Sequence, residues 1–270
     1  MIDQQHHQLR VRILHDPVHQ NVLAAVLTVV YVKAVVGACE ALVHRGWLAP
    51  RISRKIIHVA AGSWIVFWPL FAEEHWTWRL NVLVPVVYSL QLFAKGAILK
   101  NPNDPDVRTM TRTGSPSELL NGPLLFTLIM TAVGLRLFRT QLGVVVMTCL
   151  GFGDGIAPLV GYYFPLGSYP TFPFHNDTND RKTLSGSMGC FVAAVVGYHA
   201  LKFVVLLDGG DHEYEYDHDY DNNRFMNNGD DELAMIVRVA AIVAITEGIS
   251  GSYDNPGIAL SAVVAYHYLV

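Results

Sequence analysis

Long apolar runs alternate with short charged stretches along the whole chain. Runs approaching the roughly 20 residues needed to cross a bilayer fall at about 21–43, 57–72, 80–99, 119–137, 142–164, 187–207, 233–249 and 258–270, the second and last being the shortest. This spacing predicts an all-α fold, a polytopic integral membrane helical bundle with about eight transmembrane helices. A polar N-terminal tail over 1–20 precedes a single membrane-embedded domain over 21–270. The tail carries His6, His7, Arg10 and Arg12 with no apolar core and little Ser, so it does not resemble a signal or transit peptide. No internal repeat is visible.

Composition agrees with the pattern. The 270 residues are 51% hydrophobic and only 16% charged, with a mean hydropathy of +0.30, whereas charged residues make up about a quarter of a soluble domain. The net charge of -4 hides an uneven distribution. The segment 208–232 holds ten of the 23 acidic residues and one of the 19 basic ones, leaving 13 acids against 18 bases elsewhere. Such a segment reads as an acidic, flexible loop, although His212 and His218 among its carboxylates leave metal binding open. No basic stripe suits nucleic acid. Cys39, Cys149 and Cys190 lie in apolar runs without metal-type spacing and read as core residues.

Eight crossings place alternate loops on opposite sides. Ten Lys and Arg residues, among them Arg45, Arg51, Arg108 and Lys100, then fall on one side and six on the other. The excess marks the first side as cytoplasmic or its organellar equivalent. Every polar cluster with chemical potential lands on or opens toward that side: Arg54-Lys55 with His58, Arg112 with Glu118, Asp154, Arg181-Lys182, Glu247, and Asp254-Asn255. One composite site explains this grouping better than independent decorations.

Taken singly, the clusters differ in force. Asp154 sits in GFGDG within an apolar run, where a carboxylate is costly unless paired, wetted or metal-bound. Arg54, Lys55 and His58 also suit a positive-inside anchor, Ser117 before Glu118 suits a helix cap, and Asp254-Asn255-Pro256 suits a turn. Arg181-Lys182-Thr183 and Gly186-Ser187 look able to hold an anion, since small residues let backbone N–H groups approach phosphate.

Read in order, these segments resemble the CTP-dependent lipid-alcohol kinases, which include phytol, farnesol and dolichol kinases and are related to phosphatidate cytidylyltransferase. The resemblance runs from Arg51 to the C-terminal end and is strongest to the phytol and farnesol kinase branch. It is carried by RKIIHVAAG (54–62), TRTGSPSELLNGPLLF (111–126), GDGIAPLVG (153–161), RKTLSGSMGCF (181–191) and the Glu247 to Asp254-Asn255-Pro256 stretch. Three departures stand out. Thr111 replaces Ser, Ser185 replaces an acidic residue before Gly186, and Tyr162-Tyr163 replaces Gly-Arg after Gly161.

The resemblance implies phosphoryl transfer from CTP, with Mg²⁺, to a membrane isoprenoid alcohol such as phytol, farnesol or a polyprenol. Such transfer needs positioning and charge neutralisation more than covalent chemistry. In that reading Asp154 and Asp254 hold Mg²⁺, a hard cation that prefers carboxylate oxygen. Arg54, Lys55, Arg112, Arg181, Gly186 and Ser187 hold the nucleotide phosphates. Asp154, Lys182, His58 and Glu118 form the catalytic set, His58 or Glu118 taking the alcohol proton, and Glu247 and Asn255 complete the site. The expected partners are a lipid alcohol, a nucleoside triphosphate and membrane lipids, with no nucleic acid. The expected location is a membrane of the endoplasmic reticulum or the plastid envelope, with the site on the cytoplasmic or stromal side. Cytidylyl transfer to phosphatidic acid, diacylglycerol phosphorylation, a transporter using Asp154 as an ion relay, and a non-catalytic scaffold are the competing readings.

Overall fold

A computed structural model describes residues 16–111, 113–171, 181–206, 229–250 and 254–269. The predicted helical class is observed. The chain begins with α1 (Pro17–His44) and α2 (Pro50–Gly62), followed by 3-10 segments Ser63–Leu70 and Trp76–Val82. Then come α3 (Leu83–Phe93), a π-helical turn Ala94–Leu99, α4 (Pro105–Met110), α5 (Glu118–Asn121) and α6 (Pro123–Arg136). Helix α7 (Gln141–Met147) passes through a second π-helical stretch, Thr148–Gly153, into α8 (Asp154–Tyr163). An antiparallel pair, β1 (Ser168–Pro170) and β2 (Arg181–Thr183), leads to α9 (Leu184–Leu206), α10 (Gly229–Ile249) and α11 (Asp254–Leu269).

Five stretches are long and apolar enough to cross a membrane: Pro17–His44, Trp76–Leu99, Glu118–Arg136, Gln141–Tyr163 and Leu184–Val205. Among the described residues this is fewer than the eight runs of the sequence, for three local reasons. The run at 57–72 is not one helix, because α2 ends at Gly62 and a 3-10 segment containing Pro69 follows. Helix α10 carries Asp230, Asp231, Glu232, Arg238 and Glu247 within its 21 residues. Helix α11 has 16 residues, about 24 Å at 1.5 Å per residue.

Two expected boundaries also shift. Helix α1 starts inside the predicted tail, because Pro17 has a φ preset for a first turn and the Asp16 carboxylate caps it, accepting from the Val18 N–H at 2.9 Å. Residues 1–15 lie outside the described ones, as do 207–228 of the acidic segment and its edge. The end of that segment, 229–232, forms the first turn of α10, where carboxylates favour the positive end of the helix dipole.

The Gln141–Tyr163 span is the central helix, 72% buried against 33–39% for the other four spans. Around it the outer helices expose apolar side chains, such as Val22, Leu23, Val26 and Val30 of α1 and Val192, Val196 and Phe203 of α9. Apolar residues facing outward as well as inward are what a lipid solvent requires of a spanning helix. Cys39, Cys149 and Cys190 are buried as free thiols, as expected of core residues.

Two polar ties hold the bundle away from any chemistry. Asn21 of α1 clasps the turn between the 3-10 segments, donating to Ala72 O (3.0 Å) and Thr77 Oγ1 (2.8 Å) and accepting from the Ala72 N–H (2.6 Å). The second tie joins four helices. Gln141 donates to Tyr198 OH (2.7 Å) and Glu232 Oε1 (3.2 Å) and accepts from Tyr266 OH (2.9 Å), while Tyr198 and Lys202 donate to the Glu232 carboxylate. Each of these groups is satisfied by the others, so losing one leaves a buried partner unpaired at roughly 1–3 kcal/mol. Tyr198→Phe is therefore expected to lower the thermal unfolding midpoint in detergent, with activity per folded molecule unchanged. A loss of specific activity without a loss of stability would contradict a purely structural role.

Candidate active site

The site begins with a contact between two glycines. A Cβ added to Gly62 would stand 2.5 Å from Gly151 Cα, and one added to Gly151 would stand 2.7 Å from Gly62 Cα. Only glycine at both positions lets the end of α2 lie directly on the π-helical stretch. Gly155, one turn on, leaves room for Val59 in the same way. Lys55, His58 and Gly62 share one face of α2 by their three- and four-residue spacing. The crossing therefore lays the first two across the start of α8.

There Lys55 Nζ donates to Asp154 Oδ2 at 3.0 Å and to Asp154 O at 2.9 Å. His58 Nε2 lies 3.1 Å from Asp154 Oδ2 and 3.0 Å from Leu150 O. Both neighbours are acceptors, so Nε2 carries the hydrogen and Nδ1 remains as the second ring nitrogen for the cavity that His58 lines. The Asp154 side chain is 4% exposed, and its other oxygen, Oδ1, is buried without a partner. A π-helical stretch next to such a residue fits a wider pattern, since π-bulges cluster at functional sites.

A second ion pair is built by the two strands. Tyr169 pairs with Lys182 in the β1–β2 register, and Lys182 Nζ reaches α10, donating to Glu247 Oε1 at 2.5 Å and to the Glu247 carbonyl. Asp254 Oδ2, at the start of α11, lies 3.9 Å from the same ammonium. Burial opposes the charge on Lys182, but the Glu247 and Asp254 carboxylates outweigh it and raise its pKa above that of an ordinary lysine. Lys182 is thus a permanent cation at neutral pH.

The two centres meet at a cavity of about 300 Å³. Its polar wall is made by Arg54, Lys55, His58, Glu118, Asn121, Asp154, Asp254 and Asn255. Its apolar wall comes from α1, α3 and α6, with Val32, Val36, Val84, Tyr88, Leu92 and Met130. His58 closes the junction, its ring centroid 4.0 Å from that of Phe126. Asn255 is 6% exposed, and it ties α11 to the turn between α5 and α6 by donating from Nδ2 to Gly122 O at 3.1 Å. Glu118 accepts from the Thr113 N–H at 3.2 Å.

Seven of the predicted residues, Arg54, Lys55, His58, Glu118, Asp154, Asp254 and Asn255, therefore line one cavity. Lys182 and Glu247 form the adjoining ion pair, joined to it through Asp254. Arg112 and the side chain of Arg181 lie outside the described residues. Three residues sit differently from the expectation. Lys55, expected on the triphosphate, is committed to Asp154. The Gly186 N–H donates to Thr183 Oγ1 at 3.1 Å, and a Cβ there would come within 3.1 Å of Ala157 O, so Gly186 serves the packing of α9 on α8. Ser187 shares a hydrogen bond with the Tyr169 hydroxyl.

The departures from the family pattern also find local partners. Ser185 accepts from the Leu166 N–H and donates to Thr183 Oγ1, both at 3.2 Å, while the carboxylate that holds Lys182 comes from Glu247. Tyr162 carries the Arg51 guanidinium 3.6 Å over its ring. Asn121 and Tyr169 escaped the sequence reading. Asn121 had a signal, a polar residue inside LLNGPLL; Tyr169 had none, because strand pairing alone brings it to Lys182.

No protein-family model matches the chain. No solved structure matches it. Among curated proteins it is 32% identical over 161 residues to probable phytol kinase 1, chloroplastic, of Glycine max, covering 59% of this chain and 51% of that protein. It is 30% identical over 182 residues to phytol kinase 1, chloroplastic, of Arabidopsis thaliana, covering 67% and 56%. The chain is a relative of the phytol and farnesol kinases. A farnesol kinase, chloroplastic, of Arabidopsis thaliana is 27% identical over 173 residues, 62% of this chain and 54% of that protein. The chain spans about half the length of these curated relatives.

Proposed function

We propose that this protein is a prenyl-alcohol kinase of a plastid membrane. It transfers the γ-phosphoryl group of CTP to the hydroxyl of an isoprenoid alcohol, phytol, farnesol or a polyprenol, on the stromal or cytoplasmic side. The observation that carries this reading is a cavity with an apolar wall on one side and three carboxylates, a histidine, a lysine and an arginine on the other. A long-chain alcohol has that same division. The names of the relatives support it. Counting α2 with its 3-10 segment, α10 and α11 as further crossings yields the eight spans on which the orientation rests.

In the transfer the alcohol oxygen forms a bond to the γ-phosphorus as the bond from that phosphorus to the β–γ bridging oxygen breaks, and CDP leaves. Arg54 supplies positive charge on the polar wall, and Lys182 supplies it from the adjoining ion pair beside Asp254. His58 Nδ1 or the Glu118 carboxylate receives the alcohol proton, and a loose transition state asks little basicity of either. Lys55 compensates Asp154 Oδ2, which holds the aspartate in place without closing off Oδ1.

The donors fit Mg²⁺. Asp154 Oδ1 is a buried oxygen with no protein partner, and Asp254 lines the same cavity. Among the described residues no group of three or more metal-ligating side chains is assembled, in keeping with an ion that is held through one or two carboxylates plus nucleotide phosphates. When bound, Mg²⁺ would neutralise the phosphate charge.

The test is an assay of membranes containing the protein with CTP labelled at the γ-phosphate and a panel of phytol, farnesol, dolichol and diacylglycerol. Label is expected in a prenyl monophosphate, with release of CDP. Pyrophosphate release would instead indicate cytidylyl transfer, and label in diacylglycerol alone would contradict the alcohol assignment.

A further inference from the structure

Two oxygens on the cavity wall are buried without a partner, Asp154 Oδ1 and Asn255 Oδ1. The first suits a cation. The second is a different kind of group. Asn255 is 6% exposed, and its amide orientation is fixed because Nδ2 donates to Gly122 O at 3.1 Å. Turning the amide over would set its oxygen against that carbonyl and lose this hydrogen bond. Oδ1 is thereby held as a neutral, unpartnered acceptor on a residue of the cavity wall. Leaving such an acceptor dry is unfavourable, so an occupant that supplies an N–H or O–H gains more there than one that does not.

We propose that Asn255 is a specificity-determining residue that accepts the hydrogen bond of the substrate's hydroxyl and selects a free alcohol over molecules of the same tail without a donor. This rests on the prenyl-alcohol reading of the site. An ether, an aldehyde or a fully ionised phosphate ester ends in acceptors alone, and each would face Oδ1 with a lone pair. The contact thus disfavours the phosphorylated product as well as inert lipids. It also orients the bound alcohol: with the O–H bond aimed at Asn255 the lone pairs of the oxygen face the phosphate, and the hydrogen turns to His58 Nδ1 or the Glu118 carboxylate as the bond to phosphorus forms. Asn255 is a binding contact and not a base, since a neutral amide does not take the proton. The flanking Pro256 and the start of α11 at Asp254 fix its backbone, so position 255 is set by the helix start and not by a loose loop.

A site built to bond a hydroxyl rejects the analogue that lacks it much more strongly than an apolar pocket distinguishes chain length. The experiment is displacement of a radiolabelled farnesol from detergent-solubilised protein by unlabelled farnesol or by farnesyl methyl ether, run in parallel with the phosphorylation assay. The wild-type protein is expected to bind the ether at least about tenfold more weakly. Asn255→Leu should bring the two within about twofold of each other by weakening the alcohol, and Asn255→Asp, which keeps an acceptor, should preserve a preference for the alcohol. Equal displacement by alcohol and ether in the wild type overturns the proposal even if neither variant folds. So does a full preference retained in Asn255→Leu, or a variant whose only change is in the divalent-cation concentration required. Because displacement needs no turnover, the ratio still reports on Asn255 if the wild type phosphorylates no alcohol, an outcome that would sink the kinase reading instead.

Discussion

Asp154→Asn is expected to reduce prenyl-alcohol phosphorylation by about 10³-fold or more, near 4 kcal/mol of barrier, while the protein still inserts in the membrane. The substitution keeps the shape of the side chain but removes the charge at the one point where α2, the π-helical stretch and the cavity meet. Loss of folding is the obvious confound, because Lys55 would then be a buried ammonium facing a neutral amide, and breaking a buried pair from one side costs roughly 3–5 kcal/mol. The double variant Lys55→Met with Asp154→Leu removes both charges and fills the space with apolar atoms, an exchange that is often neutral or stabilising. Its thermal midpoint should therefore recover most of what Asp154→Asn loses, and its activity should not recover at all. Activity returning with stability would show Asp154 to be a structural residue.

Lys182→Met should separate the two halves of the site. Lys182 is held by Glu247 and faces Asp254 at 3.9 Å, but it is not among the residues that line the cavity. The expected result is a rise of about tenfold in the KM for CTP and a fall of about 10²-fold in kcat, with the KM for the alcohol within about twofold of wild type. Glu247 would be left buried without its cation, so Lys182→Met combined with Glu247→Gln is the control that removes both charges. A change confined to the alcohol KM would place Lys182 on the wrong side of the site.

The helical class of the molecule was legible in the chain, and so was the grouping of several polar residues around one cavity. Apolar runs of bilayer length leave a lipid environment and helices as the solution, because backbone groups in lipid must bond within their own segment. Counting the runs as crossings predicts that Arg54, His58, Glu118, Asp154, Lys182 and Asp254 open toward one side, and five of these line one cavity with Lys182 beside it. Asp154 declared itself because a carboxylate inside an apolar run needs a partner. The sequence could not name that partner.

What each of these groups touches was decided by tertiary structure. Lys55 belongs to Asp154 because Gly62 and Gly151 let two backbones meet, a consequence of two hydrogen-sized side chains 89 residues apart in sequence. Gly186 looked like a phosphate cradle, but its N–H is taken by Thr183 and its missing side chain makes room for Ala157 O. The carboxylate for Lys182 comes from Glu247, 65 residues downstream. Among the described residues five stretches are long and apolar enough to cross a membrane, since Pro69 and the charges of α10 interrupt runs that hydropathy alone joins. Periodicity and apolar length are local properties, so a chain displays them residue by residue. Pairing between remote residues depends on how closely helices approach, and that is settled only when side-chain volumes are packed against one another.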